Sequence, residues 1–413
     1  MSEQRSQRLF LKGFWQPPRA HGEIDRDRTV SFLELFYDLT YVVVIARAAH
    51  HLAEHVSWRG AAEFAVVFSL IWIAWLNGTL YYELHGREDG RTRMFVFLQM
   101  LILSLLAVFT GEATGEAGAE FAWTYVAFFV VLTYLWYSVR RIDPEEYRPI
   151  TARYLTGMVI SVAVLAVSSF LPDDARLIVW GAFVVLWGAG AMLIGKATER
   201  GGLTTGLTVT HSMTERFGLF TIIVLGEVIV GVVDGLSDAE RTATVAVTGL
   251  LGLMIGFAFW WTFFDFAGRR LPRTAETNAW QTRWMLSHLP VTMSIAASGA
   301  AMVSLVEHAS DSATPAASAW LLTGSVALGL VSMVVLFRTL DDYDRLPTLY
   351  GRASVSLPAA ALVVLFLGWW APAPWLLAAA VVVILGLTWV DVLRQWAMMS
   401  DPEIAYPNHP QSE

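Results

Sequence analysis

The chain of 413 residues contains no cysteine, which removes disulfides and thiolate chemistry from consideration. Charge is scarce too: Asp, Glu, Lys and Arg make up 15% of the residues, against roughly 25% in soluble domains. The soluble-enzyme signatures GxSxG, HExxH and Walker A are missing, and Gly249, Gly252 and Gly256 fall inside an apolar run, where they read as helix packing. Outside the apolar runs nothing is long enough to make a domain. The first 30 residues are polar and hold no apolar core before a small-residue cleavage site, so no removable signal peptide is expected. No cofactor-binding pattern is found, and a net charge of −8 argues against nucleic acid as a partner. Any chemistry is expected in or at a membrane, with lipids and a proton or small solute as partners.

What the chain does have is 55% hydrophobic residues, 18 Trp and a mean hydropathy of +0.51, the profile of an all-α polytopic membrane protein. With about 20 apolar residues needed per crossing, twelve spans are expected. They lie at 32–53, 61–82, 94–110, 119–139, 154–171, 176–195, 214–234, 242–265, 284–306, 318–337, 354–370 and 374–396. The last two are joined only by APAP at 371–374, a junction that also suits a re-entrant hairpin. Of the 28 Lys and Arg residues, 24 fall in the tails and the loops after even-numbered spans, 3 in the loops after odd-numbered spans, and Arg47 inside the first span. The positive-inside rule then places both termini in the cytoplasm. The expected organisation is a tail (1–31), a six-helix half (32–195), a loop (196–213), a second six-helix half (214–396) and a tail (397–413).

The two halves are weakly alike. LELFYDLTYVVVIARA at 33–48 aligns with TERFGLFTIIVLGEVI at 214–229, setting Glu34 over Glu215. Glu83 closes the second span as Asp265 closes the eighth, and Arg93 opens the third as Arg283 opens the ninth. Six spans per half is an even number, so the repeats are expected to be parallel.

SFLELFYDLTYVVVIARAAHHLAEH at 31–55 and HSMTERFGLFTIIVLGEV at 211–228, with weaker support from WWTFFD at 260–265 and SHLP at 287–290, resemble the low temperature requirement protein A family of bacterial membrane proteins. The resemblance runs from about 28 to about 395. It implies a multi-span protein of the bacterial inner membrane linked by name to growth in the cold, and it supplies no substrate, reaction or cofactor.

The residues must therefore indicate a site. At 100° per residue, Glu34, Asp38, Tyr41 and Ile45 fall within about 40° of one another, an acidic stripe at the cytoplasmic end of the first span. The stripe suits either boundary anchoring through Arg93, Arg283 or other arginines, or an ion entrance. Glu83 and Asp265 belong to the same expected charge network. Arg47 lies about 12 Å beyond Leu39 and on the face opposite Asp38, so the first span is expected to be buried on both faces. Glu227 lies about 15 Å beyond Phe217, at a corresponding depth in the second half. Arg47 and Glu227 are expected to neutralise each other at the midplane, as a static pair or as a substrate or proton site. Arg216, Phe220, Ile223, Glu227, Gly231 and Asp234 share one face of the seventh span. His288, two residues before Pro290, reads either as a proton-exchanging group or as a hydrogen-bonded core histidine. His51 and His55, with Glu54 between them, have i, i+4 metal-ligand spacing, but no second cluster completes a ligand set.

The reading that joins these is a transporter-like protein, possibly proton-coupled, with Glu34, Asp38, Arg47, Glu215, Arg216, Glu227 and His288 along its path. A membrane-embedded enzyme or lipid-handling protein, and a sensor or scaffold that transports nothing, are the alternatives.

Overall fold

Apolar runs of this length leave the backbone one way to satisfy its own N–H and C=O groups in lipid, the α-helix. The computed structural model describes residues 14–23, 28–200, 209–273 and 278–397, and has twelve long helices there. They are α1 (Phe32–Glu54), α2 (Trp58–His85), α3 (Gly90–Thr110), α4 (Gly118–Arg140), α5 (Arg148–Ser168) and α6 (Asp173–Arg200). The second series comprises α7 (His211–Asp238), α8 (Ala243–Phe266), α9 (Asn278–Glu307), α10 (Ala316–Phe337), α11 (Pro347–Trp370) and α12 (Pro374–Ala397). No strand forms among the described residues, and one isolated bridge joins Pro272 to Leu340.

Eleven of these helices are long and apolar enough to cross a membrane. The exception is α1, 23 residues long, whose hydropathy is diluted by Glu34, Asp38, Arg47, His50 and His51. The lateral surface is that of a membrane protein: on α3 the outward stripe is Met94, Phe97, Leu101, Leu105 and Val108, while Arg91 and Gln99 point inward. That inversion of the soluble pattern needs an apolar solvent.

Helix ends follow local chemistry. Asp89 caps α3 by accepting from the Thr92 N–H at 3.0 Å, and Thr242 caps α8 by accepting from the Val245 N–H at 3.2 Å. The APAP junction is a true break between two helices of 24 residues each. Ala371 takes a left-handed conformation (φ 47°) and its N–H closes on Leu367 O, while the Pro372 carbonyl accepts from Thr314 N at 3.0 Å. At 1.5 Å per residue each helix is about 36 Å long, enough to cross on its own.

The chain divides into two compact units, though not at one cut. The first holds the chain to Ala48 and Val66–Met213; the second holds Ala49–Ala65 and the chain from Thr214. The end of α1 and the start of α2 belong with the second unit. There Leu52, Trp58 and Phe64 share an apolar cavity of about 480 Å³ with Met293, Trp320 and Leu328. Within the first unit α3 packs on α4, and α4 on α5. Within the second, α10 packs on α9 and α11, and α12 on α8 and α11. Most of the expected tails and connecting loop (1–13, 201–208 and 398–413) lies outside the described residues.

Candidate functional site

The site of the first unit begins where α1 starts. Ser31 and Glu34 form a capping box: Ser31 Oγ accepts from the Glu34 N–H at 3.3 Å, and Glu34 Oε2 accepts from the Ser31 N–H at 3.0 Å. Arg28 then joins Glu34 to Glu83, donating to both carboxylates. Glu83 also accepts from Thr210 Oγ1 at 2.5 Å and Ser212 Oγ at 2.8 Å, so its side chain is almost fully covered. The acids expected at this mouth meet a cation, Arg28. Arg93 is exposed. Its neighbour Arg91 turns inward, donating to Ser138 Oγ at 2.8 Å and Tyr81 Oη at 3.3 Å. In the second unit the Arg283 guanidinium lies 4.7 Å from the Trp280 ring centroid, and Asp265 accepts from the Trp261 indole at 2.5 Å. The buried pair there is Arg270 with Asp342, which also accepts from Tyr350 Oη at 3.2 Å. Glu215, aligned with Glu34 by the repeat, is exposed, and the buried residue is Arg216.

Over this mouth lies a segment that the hydropathy pattern does not mark. The Arg19 N–H donates to His85 O at 3.0 Å, His85 Nδ1 donates back to Arg19 O at 2.8 Å, and Arg19 Nη2 donates to Glu83 O at 2.7 Å. His21 stacks on Tyr147 and places Nδ1 3.0 Å from Asp143, which also accepts from Thr151 Oγ1. The Gln16 N–H donates to Asp89 Oδ2 at 2.8 Å. Asp89 and Asp143 both sit below the ordinary carboxyl value of 3.8. Burial on its own would raise them; N–H donation from Gln16 and Thr92 outweighs it at Asp89, and the His21 ring and Thr151 hydroxyl outweigh it at Asp143. A carboxyl depressed by folding contributes stability above its unfolded pKa and loses it as pH falls through the folded one. Docking of residues 14–23 is therefore expected to be complete at neutral pH and to fail well below 3.8. A nitroxide on Trp15→Cys, unique in a chain with no other cysteine, should pass from slow to fast motion on acidification. A lineshape that stays slow after both carboxylates have been protonated would remove them as the fastening.

Below the mouth a buried polar column follows α1 and α2. Asp38 Oδ1 accepts from the Trp75 indole at 3.0 Å, and the hydroxyls of Tyr37 and Tyr41 are 3.0 Å apart. Tyr82 donates to Gln99 at 2.6 Å, Tyr125 to Leu70 O at 2.7 Å, and Tyr154 to Asn77 at 3.4 Å. Gly78 is required because the Tyr37 hydroxyl occupies the place of its Cβ. The stripe expected on this helix is the buried one: Glu34, Asp38, Tyr41 and Ile45 are all covered. The opposite face is not. Phe32, Phe36, Leu39, Val43 and Arg47 form an exposed stripe, so α1 is not buried on both sides. The Arg47 guanidinium sits where a Cβ on Gly111 would be 3.3 Å away, at the C-terminal end of α3. Unpaired carbonyls make a helix C-terminus a favourable seat for a cation, and a long side chain reaches it by bending toward the span's end. The Arg47 guanidinium thus lies beside the end of α3.

In the second unit Glu227 is 4% exposed, on the face of α7 that also buries Arg216, Phe220 and Gly231 and ends at exposed Asp234. Its carboxylate makes no hydrogen bond or ion pair among the described residues of this unit. Its backbone runs against α9: a Cβ on Gly299 would lie 2.6 Å from Glu227 O, and one on Gly231 would overlap the Gly299 carbonyl. His288 is enclosed by Phe217, Phe263 and Trp284, with ring centroids 4.7, 5.7 and 4.6 Å away, and donates from Nδ1 to Trp284 O at 2.8 Å. This is the environment of a core histidine. His51 and His55 stack with centroids 4.4 Å apart, and His55 Nδ1 turns back to His51 O at 3.0 Å. Glu54 pairs instead with His50, and no three metal-ligating side chains converge among the described residues.

The family model for the bacterial low temperature requirement A protein matches residues 29–389. The chain belongs to this family. An uncharacterized protein of Rhizobium meliloti (strain 1021), RA0937, is 26% identical over 274 residues, covering 63% of this chain and 66% of the relative. No solved structure matches. The two motifs most like the low temperature requirement A family occupy the two sites just described. FLELFYD supplies Glu34, Tyr37 and Asp38 to the mouth and column, and ERFGLFTIIVLGE supplies Arg216, Phe217 and Glu227 to the α7 face. Arg28, His21, His85 and Asp143 had no signal of that kind, since contacts across 55 to 122 residues of sequence leave no local period. The capping box was readable, as Ser-x-x-Glu directly before an apolar run.

Proposed function

We propose that this member of the low temperature requirement A family is a transporter-like protein that couples proton movement to that of a small solute, with Glu227 as the proton carrier. One observation carries the reading: the Glu227 carboxylate is buried in an apolar helix without a hydrogen-bond or ion-pair partner among the described residues of its unit. An intramembrane acid with no structural partner is costly to keep, and such acids mark ion and proton paths. A carboxyl that no cation holds is able to take up and release a proton as water reaches it and withdraws. The polar column of the first unit supports the same reading, because hydroxyl, indole and amide groups at membrane depth line paths as well as holding helices together. With the Lys- and Arg-rich ends of the helices inside, the Arg28–Glu34–Glu83 cluster and the segment over it face the cytoplasm. The expected architecture is two parallel six-helix repeats in the bacterial inner membrane.

The test is purified protein in liposomes, screened for proton flux and solute uptake under an imposed pH gradient. Glu227→Gln keeps the shape and removes the titratable group. It is expected to abolish pH-dependent flux while leaving the protein folded, and flux that persists unchanged would exclude Glu227 as the carrier.

A further inference from the structure

Along the first unit, α5 and α6 border an open groove of about 500 Å³, whose apolar walls include Gly157, Val164, Ala182, Phe183, Leu186 and Gly190. Of the eleven candidate spans, α6 is the least buried, with 11% of its apolar window covered. Gly157 of α5 and Gly188 and Gly190 of α6 do not bring helices together. A Cβ on Gly157, Gly188 or Gly190 would meet nothing within 4 Å, unlike Gly231 and Gly299, whose missing side chains admit a neighbouring backbone. Glycine inside a helix costs about 1 kcal/mol relative to alanine. Here that cost has no return in packing within the chain, and it keeps a channel clear on the lateral surface.

The groove is polar at one end. Arg153 lines it there, exposed and with no ion pair or hydrogen bond among the described residues, next to Tyr154 and Asn77. From Arg153 to Val164 the helix advances about 16 Å, half of a hydrocarbon core of roughly 30 Å. The groove thus runs the depth of one leaflet, with its cation on the side where the Lys and Arg residues of the tails and loops concentrate. That match of length, apolar wall and terminal charge selects the occupant. We propose that the α5–α6 groove binds an anionic phospholipid, with one acyl chain lying against Gly157 and Gly190 and the headgroup phosphate on the Arg153 guanidinium. An arginine at the acyl–headgroup boundary meets a phosphate oxygen through charge-assisted hydrogen bonds, which a zwitterionic headgroup offers with weaker net attraction.

The full-length protein, purified in detergent and stripped of lipid, can be titrated with phosphatidylglycerol or phosphatidylcholine and followed by native mass spectrometry. Wild type is expected to retain phosphatidylglycerol in preference to phosphatidylcholine. Arg153→Gln should weaken phosphatidylglycerol about tenfold, the loss of one charge-assisted contact, and remove the preference. Gly157→Leu with Gly190→Leu fills the groove and leaves the charge, and should reduce retention of both lipids. Equal retention by wild type and Arg153→Gln would overturn the phosphate assignment, and that variant carries the test alone should the filled groove not fold. Retention unaffected by the leucines would overturn the acyl-chain assignment. A lipid-free species of twice the chain mass that the leucines dissociate would assign the groove to a second copy and overturn the proposal.

Discussion

Gly231→Ala is expected to lower the stability of the second unit by about 3 kcal/mol, at the upper end of overpacking effects. The added methyl would overlap the Gly299 carbonyl oxygen, and the reciprocal change at Gly299 would press on Glu227 O and Val228 N. These neighbours are backbone atoms of two long helices. Neither has a rotamer to yield, so α7 and α9 must separate along their length, and the packing of Gly235 against Val306 is lost with them. Gly226→Ala makes the control. It lies on the same helix, its Cβ would meet nothing within 4 Å, and replacing it should stabilise the helix by about 0.5 to 1 kcal/mol. Thermal unfolding in detergent of the three proteins gives opposite signs for the two variants. A Gly231→Ala protein that melts with wild type would mean that α7 and α9 are farther apart than described here.

The second large effect belongs to Glu83→Ala. It removes the acceptor of Arg28, Thr210 and Ser212 together and leaves Arg28 with only Glu34 to satisfy it. Breaking a buried pair by deleting one partner costs about 3 to 5 kcal/mol, most of it from the stranded charge. Glu83→Gln keeps acceptors for the hydroxyls while losing the charge, so its loss should be smaller. Arg28→Met combined with Glu83→Met removes both charges and should recover much of the loss, and the departure from additivity gives the coupling. Additive melting shifts would show that Arg28 is held by Glu34 alone.

Much of this architecture was legible because hydropathy is a property of contiguous sequence. Twelve helices, eleven of them long and apolar enough to cross a membrane, and the break at APAP follow from span length and the 3.6-residue period. Pairings were less legible. Arg91 and Arg93 are two residues apart, and the inward one is decided by where Asp89 starts the helix, so the charge network expected through Arg93 settled on other arginines. Counting along the axis puts the Arg47 backbone at mid-span, and it does not show that the long side chain reaches the end of α3. The segment at 14–23 is aperiodic, and its position depends on groups far along the chain, at Glu83, His85, Asp89 and Asp143. Gly231 was legible on the face of Glu227, but only the structure separates Gly231, which admits a backbone, from Gly226, which faces space.

The interruption of the first half by Ala49–Ala65 has a consequence for biosynthesis. A ribosome working from the N-terminus delivers this stretch well before Thr214, the first residue of the main body with which it belongs. The second unit therefore receives one of its parts from the oldest portion of the nascent chain, and that part waits in the bilayer while four further helices are made. Residues 214–413 expressed alone would lack the wall formed by Leu52, Trp58 and Phe64, opening the cavity beside Trp320 to lipid. Dividing this gene product at the connection between its halves would accordingly separate Ala49–Ala65 from the unit to which it belongs.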